Sequence, residues 1–197
     1  MEYKVSVIIP VYKVEKFVER CVRSLMEQTM DGIEYIFVDD ASPDDSILIL
    51  HKVLVDYPER SERVKILVHS ENKGLPAARN TGLAVAKGEY VFHCDSDDFV
   101  EKDLLSTLYE VACCEKADIV WSDYYVSYPN NERYMRQPSY DTPEAALKGM
   151  LHGRMKFNVW NKLVKRSLYI EHDFTFPAGF AMGEDILCRK SAISLCF

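Results

Sequence analysis

Residues 5–12 read Val5-Ser6-Val7-Ile8-Ile9-Pro10-Val11-Tyr12. The stretch 5–9 is an almost unbroken apolar run dominated by β-branched side chains. A strand with one face in water alternates apolar and polar residues. A continuous run predicts a strand covered on both faces, as in a parallel sheet between helices. Immediately downstream, Val14, Phe17, Val18, Cys21, Val22 and Leu25 recur at helical spacing. The decisive unit is therefore strand followed by helix, and the question is whether it repeats.

It does. Residues 34–38 are predicted as a second strand. Ser42, Pro43 and Asp45 then have the order of an N-cap, a first-turn proline and an acidic first turn. That places a helix start at Ser42, with Ile47, Leu50, Leu54 and Tyr57 as the buried face. A third strand is predicted over 64–68. A helix rich in small residues follows over 74–86, closed by Gly88. The fourth strand is predicted over 90–94. Leu104, Leu105, Leu108, Val111 and Ala112 mark the next helix, and 118–121 a further strand. This alternation predicts an α/β fold with a Rossmann-like, mostly parallel sheet and helices on both faces. Ligands of such sheets bind at the carboxyl ends of the strands.

Beyond Trp121 the rhythm stops. Residues 127–140 are polar and rich in Tyr, Pro and Asn, which predicts a loop or small hairpin. Thr142 and Pro143 start a helix that reaches about Leu151. Residues 153–183 show little periodicity, and 184–195 look helical. The chain reaches Phe197 inside an apolar segment with no Gly, Asn or Pro to stop it, so the polypeptide is expected to continue past that point.

Composition narrows the function. The 197 residues carry a formal net charge of -7 and 48% hydrophobic residues. An acidic surface argues against a nucleic-acid partner. The six cysteines, Cys21, Cys94, Cys113, Cys114, Cys188 and Cys196, form no CxxC pair and show no zinc spacing. They read as reduced, mostly buried thiols of a cytoplasmic protein. The N-terminus enters a strand directly, which argues against a signal peptide. No apolar stretch approaches the ~20 residues that a membrane span needs.

Candidate chemistry gathers at the predicted strand ends. Asp39 and Asp40 end the second strand; Asp95, Asp97 and Asp98 follow the fourth. Crowded carboxylates repel one another, and a hard divalent cation, Mn2+ or Mg2+, relieves that repulsion with oxygen ligands. Asp also favours turns and caps, so turn residues are the alternative. Tyr12 is either a stacking platform for a base or an aromatic at the core edge. The segment Asn72-Lys73-Gly74-Leu75-Pro76-Ala77-Ala78-Arg79-Asn80 opens a helix, whose N-terminus favours phosphate; a surface Arg beside a helix-start Gly is the plainer reading. Neither GxGxxG nor GxxxxGK[ST] is present, so dinucleotide and P-loop sites are unsupported.

Taken in order, SVIIPVY, YIFVDDAS, NKGLPAARNTGL and GEYVFHCDSDD resemble the family 2 glycosyltransferases of GT-A fold. NVWNKLVKRSLY and FPAGFAMGEDILCRK resemble the acceptor-side signatures of its bacterial surface-polysaccharide branch. The likeness runs from about Val5 to Lys190. Two departures are Ala41 where Gly is usual and Ser96 where Ala is common.

The resemblance implies one catalytic domain over 1–197. Its nucleotide-sugar half covers about 1–122 and its acceptor half about 123–197. Pro10 and Tyr12 would line a uracil pocket. Asp40 would accept from the uracil N3–H with Asp39 beside it. Gly74 and Arg79 would approach the diphosphate. Asp95 and Ser96 would lie by the ribose. Asp97, with Asp95, would hold the Mn2+ or Mg2+. Asp185 would be the catalytic base, with Glu184, Trp160 and Asn161 bordering the acceptor. Without the resemblance, Glu184 and Asp185 read as helix caps.

The implied activity is an inverting, hexosyltransferase-type transfer from a nucleotide-sugar donor, a UDP-sugar, to a saccharide or lipid-linked acceptor. The expected place is the cytoplasm, at the inner membrane face if regions outside this chain associate with the membrane. The rival readings are a nucleotidyltransferase and a sugar-nucleotide-binding domain without catalysis. Against the first, nucleotidyltransferases usually have a Gly-rich basic first loop, and Tyr12, Lys13 and Val14 stand there instead.

Overall fold

The computed structural model describes residues 3–177. In chain order the elements are β1 (Val5–Val11), α1 (Val18–Met26), β2 (Ile33–Asp39), α2 (Ser46–Leu54), α3 (Pro58–Ser61), β3 (Val64–Val68), α4 (Leu75–Val85) and β4 (Tyr90–His93). They continue with α5 (Leu104–Glu115), β5 (Ile119–Trp121), β6 (Tyr124–Tyr128), β7 (Asn131–Met135), α6 (Pro143–Leu151), β8 (Lys162–Lys165) and α7 (Arg166–Glu171). Six strands form one sheet in the order β3-β2-β1-β4-β8-β5; β6 and β7 pair separately as a hairpin.

β1 pairs in parallel with β2 and β4, and β2 in parallel with β3. Every residue of β1 and β2 is buried, the polar Ser6, Glu34 and Asp39 along with their largely apolar neighbours. One face of the sheet packs Cys21, Val22 and Leu25 of α1, Leu50 and Val53 of α2, and Leu105 and Leu108 of α5. The other face packs Ile8, Ile36, Val38 and Val91 against Ala78 of α4 and Tyr169 of α7. The core thus lies in two layers, and the carboxyl ends of β1 to β4 share one edge.

Two features depart from expectation. The fourth and fifth predicted strands are not neighbours, because β8 lies between them, antiparallel to both. Its four residues, Lys-Leu-Val-Lys, carry no periodic signal of their own. The helix expected from Ser42 begins instead at Ser46. Asp44 draws the intervening loop together: it accepts from Ser42 Oγ (2.6 Å), Ser46 Oγ (2.6 Å) and Glu15 N (3.0 Å). Burial would raise its pKa, but these hydrogen bonds hold it at about 2. Ser42 meanwhile accepts from Lys13 N at 2.8 Å, so its hydroxyl serves the loop rather than a helix start.

Other elements match their local signals. Thr142 caps α6, accepting from Ala145 N at 3.3 Å. The hairpin within 124–135 overlaps the polar stretch that reads as a loop or small hairpin. Cys21 and Cys94 are buried, whereas Cys113 and Cys114 are exposed, so burial of most thiols does not extend to these two. Cys188, Cys196 and the helix expected over 184–195 lie outside the described residues.

Candidate functional site

The sheet register assembles the site. Val11 sits opposite Asp39, and Asp39 opposite Val68, while Ile8 sits opposite His93. The tips of β1, β2, β3 and β4 therefore stand side by side. Pro10 is buried within β1, paired with Val38. Tyr12, just past the strand, is 38% exposed, and Lys13 Nζ lies 5.1 Å from its ring centroid. An exposed ring at a strand tip suits a stacking role better than a core-edge role.

Asp39 and Asp40 differ sharply in what they touch. Asp39 Oδ1 accepts from Ser42 N at 2.8 Å. Asp40 is almost fully buried and has a donor on each oxygen. Its Oδ1 accepts from Lys73 N at 2.8 Å, and its Oδ2 from Gly74 N at 2.8 Å. His69 Nδ1 lies 2.6 Å from the same Oδ1, and His69 Nε2 lies 2.9 Å from Thr81 Oγ1. A base contact at Asp40 would have to share or displace one of these donors.

Gly74 precedes α4 with φ 86° and ψ 162°, a conformation that in practice only glycine adopts. The helix then carries Arg79 inward, where the side chain is 1% exposed. Its Nη2 donates to Asp95 Oδ1 at 2.9 Å, and its guanidinium carbon lies 5.5 Å from the Phe176 ring centroid. The plainer reading, a surface Arg, is thus excluded. Asn80 locks the same helix to the chain at Phe176 by a reciprocal pair of 2.8 Å hydrogen bonds.

Asp95, Ser96, Asp97 and Asp98 follow β4 in a tight turn, in which Asp98 N donates to Asp95 O at 3.1 Å. Ser96 is buried, while Asp97 and Asp98 are exposed. Although much of its surface meets solvent, Asp98 has its pKa pushed up to about 6. Surrounding protein withholds part of its hydration, and the charges of Asp97 and Asp95 add repulsion. Such crowding is what a bound cation relieves, and the donors are hard carboxylate oxygens, so the turn fits Mn2+ or Mg2+. Among the described residues no three His, Cys, Asp or Glu side chains converge to hold a metal by themselves. Protein ligands would therefore need supplementing by ligand oxygens or water.

His93, at the end of β4, faces the other side of the sheet. It is 1% exposed, and among the described residues neither ring nitrogen has a hydrogen-bond partner. Edge-to-face contacts to Phe176 (5.1 Å) and Tyr169 (6.2 Å) surround it. Burial, assisted by the charge of Arg79, lowers its pKa to about 3, so it packs as a neutral aromatic.

On the acceptor side, Trp160 contacts Tyr124 edge-to-face at 4.7 Å. Asn161 is buried: its Nδ2 donates to Ser122 O at 2.9 Å, and its Oδ1 accepts from Lys162 Nζ at 3.0 Å. Lys162 Nζ also donates to Lys156 O (2.9 Å) and Asn158 O (2.5 Å), so this buried ammonium gathers the 156–161 loop. Glu184 and Asp185 lie outside the described residues.

The residues that sequence reasoning passed over are His69, Thr81 and Lys162. His69 follows β3 and Lys162 opens β8, while Thr81 lies within α4. His69 directly follows the 64–68 strand run, and that strand-end position was the available signal.

The profile described as Glycosyl transferase family 2 matches residues 6–188. The Bacillus subtilis protein named uncharacterized glycosyltransferase EpsJ is 32% identical over 196 residues, covering 95% of this chain and 55% of its own length. Glycosyltransferase GlyG of Streptococcus pneumoniae is 34% identical over 189 residues, covering 89% of this chain and 61% of its own length. The crystal structure of residues 1–349 of S. aureus TarS in complex with UDP-GlcNAc superposes with a TM-score of 0.79 at 26% identity, over 93% of this chain and 51% of that one. The chain thus spans roughly half to three-fifths of the length of these relatives. Its sheet is that of the GT-A fold. With the profile covering almost the entire sequence, the chain belongs to glycosyl transferase family 2.

Proposed function

We propose that this chain is a catalytic domain of a metal-dependent, inverting glycosyltransferase that moves a hexose from a UDP-sugar to a hydroxyl of a saccharide or lipid-linked acceptor in surface-polysaccharide synthesis. The observation that carries the reading is the meeting, on one sheet edge, of Asp39, the Arg79–Asp95 pair and the Asp97–Asp98 turn. The complex of TarS with UDP-GlcNAc supports the choice of donor class. The reaction is assigned to the cytoplasm; among the described residues no helix is long and apolar enough to cross a membrane.

Each residue has a task. Tyr12 stacks on the base. The base N–H contact, expected at Asp40 from the family resemblance, is assigned to its neighbour Asp39, because Asp40 Oδ1 already faces two donors and Oδ2 one, whereas Asp39 faces Ser42 N. Gly74 permits close approach of the helix N-terminus to the diphosphate. Arg79 orients Asp95, which together with Ser96 faces the ribose. Asp97, aided by Asp95, holds Mn2+ or Mg2+. When bound, the ion supplies charge compensation for the departing nucleotide diphosphate. Asp185 accepts the proton of the attacking acceptor hydroxyl, and Trp160, Asn161 and Glu184 border the acceptor. The single displacement inverts the anomeric carbon.

Isothermal titration of the chain with UDP, with and without Mn2+, tests the donor site. Wild type should bind in a Mn2+-dependent way and Asp97→Ala should lose that dependence. Unchanged affinity of Asp97→Ala would overturn the metal assignment.

A further inference from the structure

We propose that His69 is a positioning residue for the donor site, acting through Asp40 and Thr81. The inference rests on the donor-site reading above. The imidazole is buried where three elements meet. Its Nδ1 faces Asp40 Oδ1 at the end of β2, and its Nε2 faces Thr81 Oγ1 on α4. His69 itself extends β3, donating its backbone N–H to Asp39 O at 2.9 Å. Asp40 in turn accepts the backbone N–H groups of Lys73 and Gly74, which open α4.

The hydrogen-bond roles follow from chemistry. Asp40 Oδ1 is a carboxylate oxygen that already accepts from Lys73 N–H, so Nδ1 donates to it, while Nε2 and the Thr81 hydroxyl make the contact on the other side of the ring. The result is a continuous path of Thr81, His69, Asp40 and Gly74. A side chain that both orients a carboxylate and is itself oriented acts at one remove, without touching the ligand.

Everything tied to this path carries a donor-site residue. Asp39 precedes Asp40. Gly74 holds a glycine-only backbone shape, and Asp40 Oδ2 accepts its N–H. Arg79 sits two residues before Thr81 and reaches Asp95. Between His69 and Gly74, Ser70, Glu71, Asn72 and Lys73 are all exposed. Their loop has no apolar packing to fix it. Without the imidazole, the Asp40 carboxylate that accepts the Lys73 and Gly74 N–H groups at the entry of α4 would lose one of its own supports.

A double-mutant cycle tests this. UDP and GDP affinities in the presence of Mn2+ are measured for wild type, Asp40→Asn, His69→Phe and the double variant, at a temperature well below each melting point. Each single change should weaken UDP binding by about tenfold, the low end for partners that orient binding groups. The double variant should be no weaker than the worse single. The UDP-to-GDP ratio should stay constant, because positioning does not read the base. His69→Asn, whose amide can still donate to Asp40, should recover part of the loss.

Additive losses, or a base ratio that shifts in Asp40→Asn, would overturn the relay. So would melting points that fall while affinity stays unchanged, since that is a purely structural role. Should His69→Phe fail to fold, Thr81→Val breaks only the Nε2 contact. It should weaken UDP binding by about threefold without adding to Asp40→Asn, and additivity there has the same negative meaning. Failure of wild type to bind any uridine or guanosine nucleotide overturns the donor-site reading and this inference with it; binding with additive losses overturns this inference alone.

Discussion

Arg79 Nη2 lies 2.9 Å from Asp95 Oδ1, joining the second turn of α4 to the loop after β4. The guanidinium is 1% exposed and the carboxylate 27%, so the contact closes the inner wall of the site rather than decorating its rim. A buried cation without its partner is costly, and so is the carboxylate it leaves behind. Arg79→Met should therefore destabilise the fold by about 3 kcal/mol in urea unfolding. Arg79→Lys should recover less than half of that, because an ammonium cannot reproduce the planar fork and its stacking on Phe176. Both should lose UDP affinity. Full stability of Arg79→Met would show that the pair contributes nothing to the wall.

At the opposite end of the sheet, Glu34 makes a second buried network. Its Oε1 accepts from Ser6 Oγ and Lys87 N, both at 2.6 Å, and its Oε2 pairs with Lys65 Nζ at 2.7 Å. Burial pushes the carboxyl pKa up, but Lys65, Ser6 and the Lys87 N–H together bring it below its ordinary 4.5. A depressed folded-state pKa means stability that is present above the ordinary value and is lost as pH falls through the folded value. Glu34→Gln should cost about 2 kcal/mol near neutral pH. The gap between the two proteins should narrow below pH 4.5 and close at lower pH. Urea unfolding across that range measures it, and a gap independent of pH would contradict the assignment.

Ala41 adopts φ 56°, in the left-handed region, at the position where the family resemblance favours glycine. A Cβ there crowds the backbone at a cost of roughly 1 kcal/mol, partly offset because glycine loses more freedom on folding. Ala41→Gly should raise stability by about 0.5 kcal/mol, seen as a small rise in melting temperature with UDP binding retained. A fall would mean that the Ala41 methyl makes a contact worth more than the strain.

How far these features can be read from residues alone depends on what generates them. β1 and β2 are legible because burial on both faces favours largely apolar, β-branched and aromatic runs, such as 7–9 and 35–38. α6 is legible because Thr142 and Pro143 are local signals. β8 is not: its pairing with β4 and β5 comes from tertiary register, and Lys162 and Lys165 mask it. At the site, carboxylates at strand ends are legible by position, and Asp95 and Asp97 stand where that reasoning puts them. The partners of Asp40 are not, since two of them are backbone N–H groups, which leave no mark in a sequence. Arg79 reads as a surface residue by type, and only the packing of α4 on the sheet buries it.

The thiols provide a further check on the packing beneath the site. Cys21 Sγ and Cys94 Sγ lie 3.9 Å apart in the core, and both approach Asp95 O, at 3.8 and 3.6 Å. The hydrogen bond with Cys21 and burial together raise the Cys94 pKa well above its ordinary value, so little thiolate forms near neutral pH. Thiolate is the reactive species, and access is also denied. Cys113 and Cys114 are exposed on α5. Iodoacetamide followed by peptide mass mapping should label Cys113 and Cys114 in the native protein, and Cys21 and Cys94 only in denaturant. Because the protected pair sits directly under Asp95, native labelling of Cys94 would mean that the loop carrying the carboxylates opens, and a preorganised cation site there would no longer be tenable.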